Sequence, residues 1–428
     1  MQIDEQAEIL NNRLNQVNKY LYEMLSDKGK AIFFPAKGIL AQSADAKGKK
    51  INATVGIALE EDGTPVRLSS VAKKIDLDPK QVFPYSSSFG NEDLRKKWKE
   101  LMVRKNPSLR DKKTSLPVVT CALTHGLSIA AYLFVDKKDK IILPDLFWEN
   151  CNLIFSNSYG AKLSTYKMFK GKNFNIDGLK KKLNKGIGKK IVLLNFPNNP
   201  TGYTPTEEEA EKIAAVIKEA AGKGNNIITL IDDAYFGLVY KQETAKESIF
   251  TKLADIHERV LAVKIDGATK EEYAWGLRVG FLTYAVKEMN DESAFVLEQK
   301  TGGAVRGTIS NASMLSQSLV LQAFNSESYE KEKEGKYKLL KARFDIVEEI
   351  LNSNIEYKKE FKALPFNSGY FMCVQLKKDA EKVRQILLKK YDTGIIAMGN
   401  ILRIAFSSVK KELIAELFDN IHKACKEA

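Results

Sequence analysis

A loop that carries a lysine and an arginine offers the clearest chemistry in this sequence. Lys270 follows the apolar run VLAVKI and comes directly after Thr269, and Arg278 lies eight residues further on between two glycines. A lysine amine can form an imine with a carbonyl compound, and a guanidinium binds phosphate through paired hydrogen bonds. The loop therefore predicts a Schiff-base lysine with a phosphate-binding arginine, although a lysine between two strands is more often a surface residue.

Two other apolar runs end in polar residues. The loop after the run LLNF holds Asn199 between two prolines and ends at Gly202, which predicts an extended turn that presents an amide. The run NIITLID ends at Asp232 and is followed by Tyr235, so a carboxylate and a phenol would reach the same sheet edge. Taken alone, the loop is equally consistent with an ordinary turn, and the carboxylate with a helix cap.

The elements that must position these residues follow an α/β pattern between about residues 115 and 285. Short apolar runs alternate there with helical stretches, namely LPVVT, KIILP, KIVLLNF, NIITLID, RVLAVKI and RVGFLTY. This alternation predicts a largely parallel sheet, with ligands at the carboxyl ends of its strands. Thr206 with Glu209 is a capping-box pattern, which predicts the start of the helix between the third and fourth runs.

A change of character after Gln317 predicts a second domain. The charged stretch SYEKEKEGKYKLLKARFDIVEEIL predicts a long helix, and the runs GYFMCVQL and ILRIAFSS predict strands of a smaller sheet. Because a helical segment also precedes the first sheet, we expect the N-terminus to pack with the C-terminal part. The expected division is a large domain over residues 56–325 and a discontinuous small domain over residues 1–55 and 326–428.

Together the three strand-end sites resemble the class I pyridoxal-phosphate-dependent aminotransferases, and more closely their aspartate aminotransferase branch. The matching motifs are Asn199-Pro-Thr-Gly202, Asp232-x-Ala-Tyr235 and Lys270 followed by Gly-x-Arg278-x-Gly, in family order and spacing. The resemblance extends from about Gly56 to Arg403. It implies PLP fold type I, a three-layer α/β sandwich with a mainly parallel sheet in a large cofactor-binding domain, plus a smaller α+β domain.

The resemblance also implies a role for each motif residue. Asp232 would face the protonated ring nitrogen of pyridoxal 5'-phosphate, because the cofactor withdraws electrons best in that form. Asn199 and Tyr235 would hydrogen-bond to its phenolic oxygen. Lys270 would hold the cofactor as an imine and, once released, transfer a proton from the substrate's alpha carbon. Arg278 would pair with the phosphate.

Further residues match the family's cofactor site. Ala122, Leu123 and Thr124 precede the helix HGLSIAAYLF and resemble the family's phosphate loop, in which backbone N–H groups at a helix N-terminus bind the anion. Thr269 would add a hydroxyl to the phosphate. Trp148 in PDLFWENCN matches the family's aromatic residue that lies on the cofactor ring, and core packing is the alternative reading.

The sequence departs from the family pattern twice in this region. The family fills its phosphate loop with small residues, often glycine, whereas this chain has Ala122 and Leu123. Gly267 stands where the family places a hydroxyl residue three positions before the lysine. We therefore expect one phosphate contact to be lost, which affects cofactor affinity more than reaction type.

Substrate-binding residues are also implied by the resemblance. Arg403 matches the arginine that pairs with the substrate's alpha-carboxylate, and Gly56 and Asn199 would approach the same group. Arg306, with a serine and an asparagine four and five positions on, resembles the arginine that reaches from the partner subunit to a side-chain carboxylate. A surface arginine is the alternative. Tyr85 resembles the tyrosine that reaches the neighbouring subunit's phosphate, which implies a homodimer with shared active sites.

Composition limits the other functional classes. The 428 residues carry 67 basic and 54 acidic side chains, but the lysines are dispersed through helical stretches without aromatic interleaving, so we expect no nucleic-acid partner. Four cysteines without CxxC spacing and three histidines predict no metal site. No apolar run is long enough to span a membrane, and the N-terminus has no signal-peptide pattern, so we expect a cytoplasmic protein.

The sequence thus predicts a homodimeric transaminase that moves an amino group from aspartate or glutamate to a 2-oxo acid by a ping-pong mechanism. A transaminase of aromatic or other amino acids, or a lyase or aminocyclopropane-type synthase on the same fold, stays open, because fold and lysine alone do not fix the reaction. A nucleic-acid-binding or regulatory protein with a catalytically silent fold is the rival from another class.

Overall fold

The computed structural model describes residues 3–33, 38–72 and 77–428. Within these ranges the strands form a seven-stranded sheet, a four-stranded sheet and two two-stranded pairs. The strands are β1 (Ile51–Asn52), β2 (Val118–Cys121), β3 (Lys140–Pro144), β4 (Lys162–Tyr166), β5 (Phe169–Lys170), β6 (Asn173–Phe174), β7 (Lys189–Asn195), β8 (Asn226–Asp232), β9 (Val260–Gly267), β10 (Val279–Ala285), β11 (Phe361–Ala363), β12 (Met372–Leu376), β13 (Thr393–Gly394), β14 (Ile396–Met398) and β15 (Ile401–Ile404).

Helices surround both larger sheets, and none in the described ranges has the length and apolar character needed to cross a bilayer. The helices are α1 (Glu5–Val17), α2 (Lys19–Met24), α3 (Asp27–Ala31), α4 (Ile39–Asp45), α5 (Ser69–Ala72), α6 (Glu92–Lys105), α7 (Ala122–Phe134), α8 (Ile176–Leu183), α9 (Glu207–Gly222), α10 (Phe250–Leu253), α11 (Asp291–Ile309), α12 (Met314–Phe324), α13 (Tyr329–Ser353), α14 (Tyr357–Glu360), α15 (Ala380–Lys390) and α16 (Ile414–Glu427).

The seven-stranded sheet has the order β2-β10-β9-β8-β7-β3-β4. Strands β4, β3, β7, β8 and β9 are parallel to one another, and β10 is antiparallel to both of its neighbours. Every residue of β10 is buried, as expected for a strand covered on both faces. The predicted α/β class with a mainly parallel sheet is confirmed. The edge strand β4 was not predicted, because its half-buried residues do not form an apolar run.

The predicted start of α9 is confirmed in detail. The hydroxyl of Thr206 accepts a hydrogen bond from the backbone N–H of Glu209, and the Glu209 carboxylate accepts one from the N–H of Thr206 at 2.9 Å. Ile213 and Ile217 on this helix are fully buried, so its apolar stripe packs on the sheet. Capping and burial therefore fix α9 between β7 and β8.

The smaller sheet has the order β11-β12-β15-β14 and is entirely antiparallel. The predicted long helix is α13, whose residues Leu340, Phe344 and Val347 are buried in the core that this sheet shares with α16. The predicted strands GYFMCVQL and ILRIAFSS are β12 and β15. Residues next to β12 and on β15 lie close to the carboxyl edge of the larger sheet.

The N-terminal segment contacts both sheets. β1 pairs in parallel with β13, and the Gln42 side chain makes two hydrogen bonds with the backbone of Ala397. In contrast, the carbonyl of Ala31 accepts a hydrogen bond from the Asn157 side chain, beside the larger sheet, at 2.7 Å. Residues 1–2 and 34–37 of the predicted small domain, and 73–76 of the predicted large one, lie outside the described residues. The two-domain division itself stays a prediction.

The two sheets meet at the loop that follows β7. Gly202 has φ +68°, and its carbonyl accepts hydrogen bonds from the N–H groups of Asn367 and Ser368, both at 2.9 Å. A Cβ on Gly202 would lie 1.9 Å from the carbonyl oxygen of Phe371, which immediately precedes β12. Glycine is therefore required here both for backbone conformation and for the close approach of the smaller sheet.

We predict that Gly202→Ala lowers the free energy of unfolding by about 3 kcal/mol or more, because the methyl group collides with backbone that cannot move independently. Gly63→Ala is the matched control: Gly63 also has positive φ, but no atom lies within 4 Å of its Cβ position, so only about 1 kcal/mol of backbone strain is expected. Urea denaturation of both variants measures the difference. Equal losses would contradict the proposed close contact.

Candidate active site

The three predicted strand-end sites meet at one edge of the larger sheet. β7, β8 and β9 are adjacent and parallel, with Asn195 in register with Asp232, and Asp232 in register with Ile265. Asn199 follows β7, Asp232 ends β8, and Lys270 follows β9. Because neighbouring parallel strands end at the same edge, their loops surround one crevice, where α/β sheets bind ligands.

Asp232 is buried, with 7% of its surface exposed. Its Oδ1 accepts a hydrogen bond from the backbone N–H of Ala234 at 3.1 Å. Burial raises the pKa of Asp232 and the charge of Asp233 adds to this shift, while the Ala234 N–H and the Lys270 ammonium oppose it, so that the net pKa is about 7. A cationic N–H donor placed against the carboxylate would favour its ionised form, which is the environment that a protonated ring nitrogen supplies.

Lys270 is half-buried beside Asp232. Its Nζ donates a hydrogen bond to the carbonyl of Gly56 at 3.2 Å and lies 5.1 Å from the centre of the Tyr235 ring. Burial and, to a smaller extent, the charge of Arg278 lower the pKa of Lys270, and the charge of Asp232 opposes them, so that the net pKa is about 8. A substantial fraction of the amine is therefore unprotonated, and thus nucleophilic, in mildly alkaline solution.

Tyr235 is buried between Lys270 and the residues that precede β12. The centres of the Tyr370 and Phe371 rings lie 5.2 and 5.6 Å from its own ring centre in edge-on packing. Burial raises the pKa of Tyr235 above that of free tyrosine, so its hydroxyl stays protonated and can donate a hydrogen bond. The Tyr370 hydroxyl donates to the backbone carbonyl of Lys270 at 2.8 Å, which fixes the loop that carries Lys270.

Arg403, on β15, brings a guanidinium from the smaller sheet to this crevice. It is buried, and its NH2 donates to the carbonyl of Thr54 at 2.8 Å while NH1 lies 3.4 Å from Oδ1 of Asn199. Its guanidinium carbon lies 4.5 Å from the centre of the Phe371 ring. Among the residues that the structure describes, its buried Nε has no hydrogen-bond partner. This cation is therefore held rigidly and retains donor capacity for a carboxylate.

The residues around the N-terminus of α7 and Thr269 fit a phosphate. Within the described ranges, the buried hydroxyl of Thr269 has no hydrogen-bond partner. The N-terminus of α7 starts at Ala122 without a side-chain cap, and Thr124 lies half-buried in its first turn. Arg278 has φ +54° and is exposed, with one N–H bonded to the carbonyl of Trp275. An unpaired hydroxyl, free helix N–H groups and a guanidinium are what an anion needs.

The helix boundary differs slightly from the prediction. Ala122, Leu123 and Thr124 were expected to precede the helix, but they form the first turn of α7. The chain turns sharply from β2 at Ala122, which has φ +60°, and the backbone N–H of Cys121 donates to Nδ1 of His125. This ring takes up one N–H group at the turn, so helical geometry begins earlier than the loop-like sequence indicates.

The structure gives a physical reason for Gly267. β9 and β10 approach so closely that a Cβ on Gly267 would lie 2.6 Å from the carbonyl oxygen of Val279 and 2.8 Å from Cα of Gly280. The Leu123 side chain lies 3.2 Å from the same position. A serine or threonine therefore does not fit at position 267. The Leu123 side chain and the missing side chain of Gly267, the two departures from the family pattern, adjoin the same space.

The remaining predicted residues lie around the crevice. Gly56 accepts the Lys270 hydrogen bond, and its own Cβ position is 3.8 Å from the Phe371 ring. Trp148 is half-buried and packs against the apolar core beneath the larger sheet, in the turn before the π-helix Asn152–Asn157. Core packing thus accounts for part of the Trp148 surface, and stacking on a cofactor stays a prediction.

Tyr85 and Arg306 lie on the surface. Tyr85 is 93% exposed, and Arg306 is exposed in the last turn of α11. The segments that carry them adjoin, because the Ser88 hydroxyl donates to the carbonyl of Ser310 at 2.8 Å. Neither side chain contacts the crevice of its own subunit in the structure, and their roles across a dimer interface stay predictions.

Sequence reasoning missed several residues of the site. Thr54, Tyr370 and Phe371 are contributed by segments whose sequence carries no motif, and only the approach of the two sheets brings them to Lys270 and Arg403. The one available signal was the aromatic pair at the start of the run GYFMCVQL, which also suits an ordinary strand.

The chain is similar in sequence to known aminotransferases. A family model described as "Aminotransferase class I and II" matches residues 48–421. Aspartate aminotransferase of Sulfurisphaera tokodaii is 27% identical over 277 residues, 63% of this chain and 65% of that protein. A probable N-acetyl-LL-diaminopimelate aminotransferase of Bacillus subtilis is 27% identical over 238 residues, 53% of each chain. The chain therefore aligns with less than two thirds of the length of these relatives.

A solved structure is similar over nearly the whole chain. The aminotransferase of Anaerococcus prevotii superposes with a TM-score of 0.84 at 24% identity, and the match covers 94% of this chain and 98% of that one. At this identity the likeness establishes the fold, a three-layer α/β arrangement with a second, smaller sheet.

The raised pKa of Asp232 makes the free energy of unfolding of the cofactor-free protein depend on pH. Its value of about 7 lies above the ordinary value of about 3.9, so the folded state loses stability as pH rises from about 4 to 7. Relative to Asp232→Asn, the wild type should lose about 2 to 3 kcal/mol between pH 5 and 7.5. Urea denaturation at both pH values measures this, with the exposed Asp177→Asn as control. A constant difference between wild type and Asp232→Asn would contradict the burial argument.

Proposed function

The chain belongs to the aminotransferase class I and II family, and we propose that it is a pyridoxal-phosphate-dependent transaminase that transfers the amino group of aspartate or glutamate to a 2-oxo acid. One observation carries the proposal: Lys270, with its lowered pKa, lies at the strand end next to the buried carboxylate of Asp232. A nucleophilic amine and an anion with room for a cationic partner are the two groups that this chemistry requires.

The residues of the crevice fit the cofactor. The unpaired hydroxyl of Thr269, the first turn of α7 and Arg278 would hold the phosphate, and Asp232 would face the ring nitrogen. Asn199 and Tyr235 would donate hydrogen bonds to the phenolic oxygen. When bound, pyridoxal phosphate withdraws electrons from the alpha carbon of an attached amino acid.

Residues of the chain itself would transfer the proton and bind the substrate's carboxylate. Lys270, with a pKa of about 8, can accept a proton from the alpha carbon and donate it again at near-neutral pH. Arg403 would bind the alpha-carboxylate through its remaining donor, and its contact with Asn199 sets its position relative to the crevice. Because donor and acceptor use the same residues in turn, the kinetics should be ping-pong.

The proposed dicarboxylate specificity requires a homodimer with shared active sites, which is part of the proposal. Phe83 and Tyr85 expose 83% and 93% of their surface, and Ile309 is also exposed at the end of α11 beside Arg306. Exposed apolar side chains of this size suit a subunit interface. A two-fold axis near this surface would place Arg306 and Tyr85 in the partner's crevice.

We predict that Lys270→Ala abolishes transamination and the visible absorbance that the wild type acquires with pyridoxal phosphate. The wild-type band should change when aspartate is added without an oxo acid, with release of oxaloacetate. Lys300→Ala, an exposed lysine on α11, is the control and should behave as wild type. Retained turnover in Lys270→Ala would show that another lysine acts, and a product other than the oxo acid would indicate a lyase or synthase.

We predict that Arg306→Ala reduces kcat/KM for aspartate by about 100-fold or more, and for an uncharged amino acid by less than about 3-fold, because only the side-chain carboxylate loses its partner. Lys300→Ala again serves as control. An equal loss on both substrates would remove the dicarboxylate assignment.

Mixing Lys270→Ala subunits with Arg306→Ala subunits, neither of which should turn over aspartate efficiently, tests whether the site is shared. A hybrid dimer should contain one intact site, so about a quarter of wild-type aspartate activity should return after subunit exchange. Failure to recover activity, with exchange verified by mass spectrometry, would place Arg306 within its own subunit's site.

A further inference from the structure

A buried ion cluster lies behind the strand ends of the site. Lys264 on β9 has no exposed surface, and its Nζ donates to Oδ2 of Asp233 at 2.5 Å and to Oδ2 of Asp266 at 2.7 Å. The other oxygen of Asp266 accepts a hydrogen bond from Nε1 of Trp98 at 3.0 Å, and Asp233 accepts one from the Ser248 hydroxyl at 2.5 Å. All three charges are thus satisfied by protein atoms.

This cluster is costly for a structural element. Burying an ion costs several kcal/mol after relaxation, and apolar residues of similar volume often stabilise a core as well or better. Lys264 occupies a central strand of the sheet, between Ile231 on β8 and Thr283 on β10, where apolar residues are the rule. Packing therefore does not explain a lysine at this position.

The position of the cluster along the chain suggests its role. Asp233 directly follows Asp232, and Asp266 lies four residues before Lys270. The backbone N–H of Asp233 donates to the carbonyl of Ile265 at 2.9 Å, the last step of the ladder between β8 and β9. The Lys264 ammonium therefore joins the two strands where the regular backbone hydrogen bonds end.

The cluster also controls charge next to the site. It contains two carboxylates and one ammonium, and the charge of Asp233 contributes to the raised pKa of Asp232. Coulombic attraction to Asp233 and Asp266 raises the pKa of Lys264 above its ordinary value, so it stays protonated. Among the residues that the structure describes, the titratable and charged groups that interact electrostatically with Asp232 and Lys270 are Cys151, Asp233, Tyr235, Arg278 and Arg403.

We propose that Lys264 is a positioning residue of the active site, whose ammonium clamps Asp233 and Asp266 and thereby sets the spacing and the charge environment of Asp232 and Lys270. The link to catalysis rests on the proposed function, because Asp232 and Lys270 act on the bound cofactor. The clamp itself is a property of the cofactor-free protein and can be measured there.

The first test uses Lys264→Met in the cofactor-free protein. Without the ammonium, two carboxylates share a buried space, and their pKa values rise above those of the unfolded chain, so stability falls as pH increases. The decrease in melting temperature relative to wild type should be at least about twofold larger at pH 8 than at pH 5. A lysine that only fills space would give equal losses, which would overturn the charge role.

Lys189→Met is the matched control. Lys189 also pairs with two aspartates, Asp136 and Asp139 at 2.7 and 2.6 Å, but it lies at the opposite end of the sheet and is partly exposed. Its loss should be small and the same at both pH values. The double variant Lys264→Met/Asp233→Asn should lose most of the pH dependence, because one of the two carboxylates is gone.

The second test uses Asp233→Asn with bound pyridoxal phosphate, and it stands even if Lys264→Met does not fold. Removing one negative charge beside Asp232 should lower the pH midpoint of the visible absorbance by about 0.5 to 1 unit, with Asp139→Asn unchanged. A folded Asp233→Asn with a wild-type midpoint would overturn the coupling. A wild type without any visible band would contradict the proposed function instead, and the unfolding comparison would still decide the role of Lys264.

Discussion

The carboxylate of Asp232 is buried at the end of a central strand, and in the described part of the chain the Ala234 N–H is its one hydrogen-bond donor. A buried anion with so little compensation is unstable unless a cation faces it. The amine of Lys270 offsets part of this charge, although burial and the charge of Arg278 lower its own pKa. The site is therefore assembled around an anion that lacks a partner, which a cationic ring nitrogen would complete.

The other charged side chains of the crevice are cations that form no salt bridge within the three described ranges of the chain. Arg278 and Arg403 add two further cations near Lys270, and each of them lowers the pKa of Lys270 in addition to the larger effect of burial. Such an excess suits ligands that bring negative charge at both ends, a phosphate near Arg278 and a carboxylate near Arg403. Arg403 belongs to the smaller sheet, so the charge balance also depends on how the two sheets meet.

Local sequence signals predicted the larger sheet and the strand-end residues, because both follow from the chain itself. Apolar runs mark the strands, and the position of Asp232 or Lys270 after a run places it at the carboxyl edge. The contacts of Phe371, Tyr370 and Thr54 could not be predicted, since they depend on the docking of the smaller sheet. The edge strand β4 was missed because partial burial leaves no clear period.

Leu123 and Gly267 both differ from the residues that the family has at these positions, and their packing explains the difference. When each position is compared with the family by itself, the leucine at 123 and the missing hydroxyl at 267 are two unrelated departures. In the structure they are one arrangement, because backbone of β10 excludes any side chain at residue 267 and Leu123 lies against the same space. The hydroxyl of Thr269 stays buried and has no hydrogen-bond partner among the described residues. A phosphate bound there would therefore depend on Thr269, Arg278 and the N-terminus of α7, and a hydroxyl residue at 267 would cost strand packing without adding a usable donor.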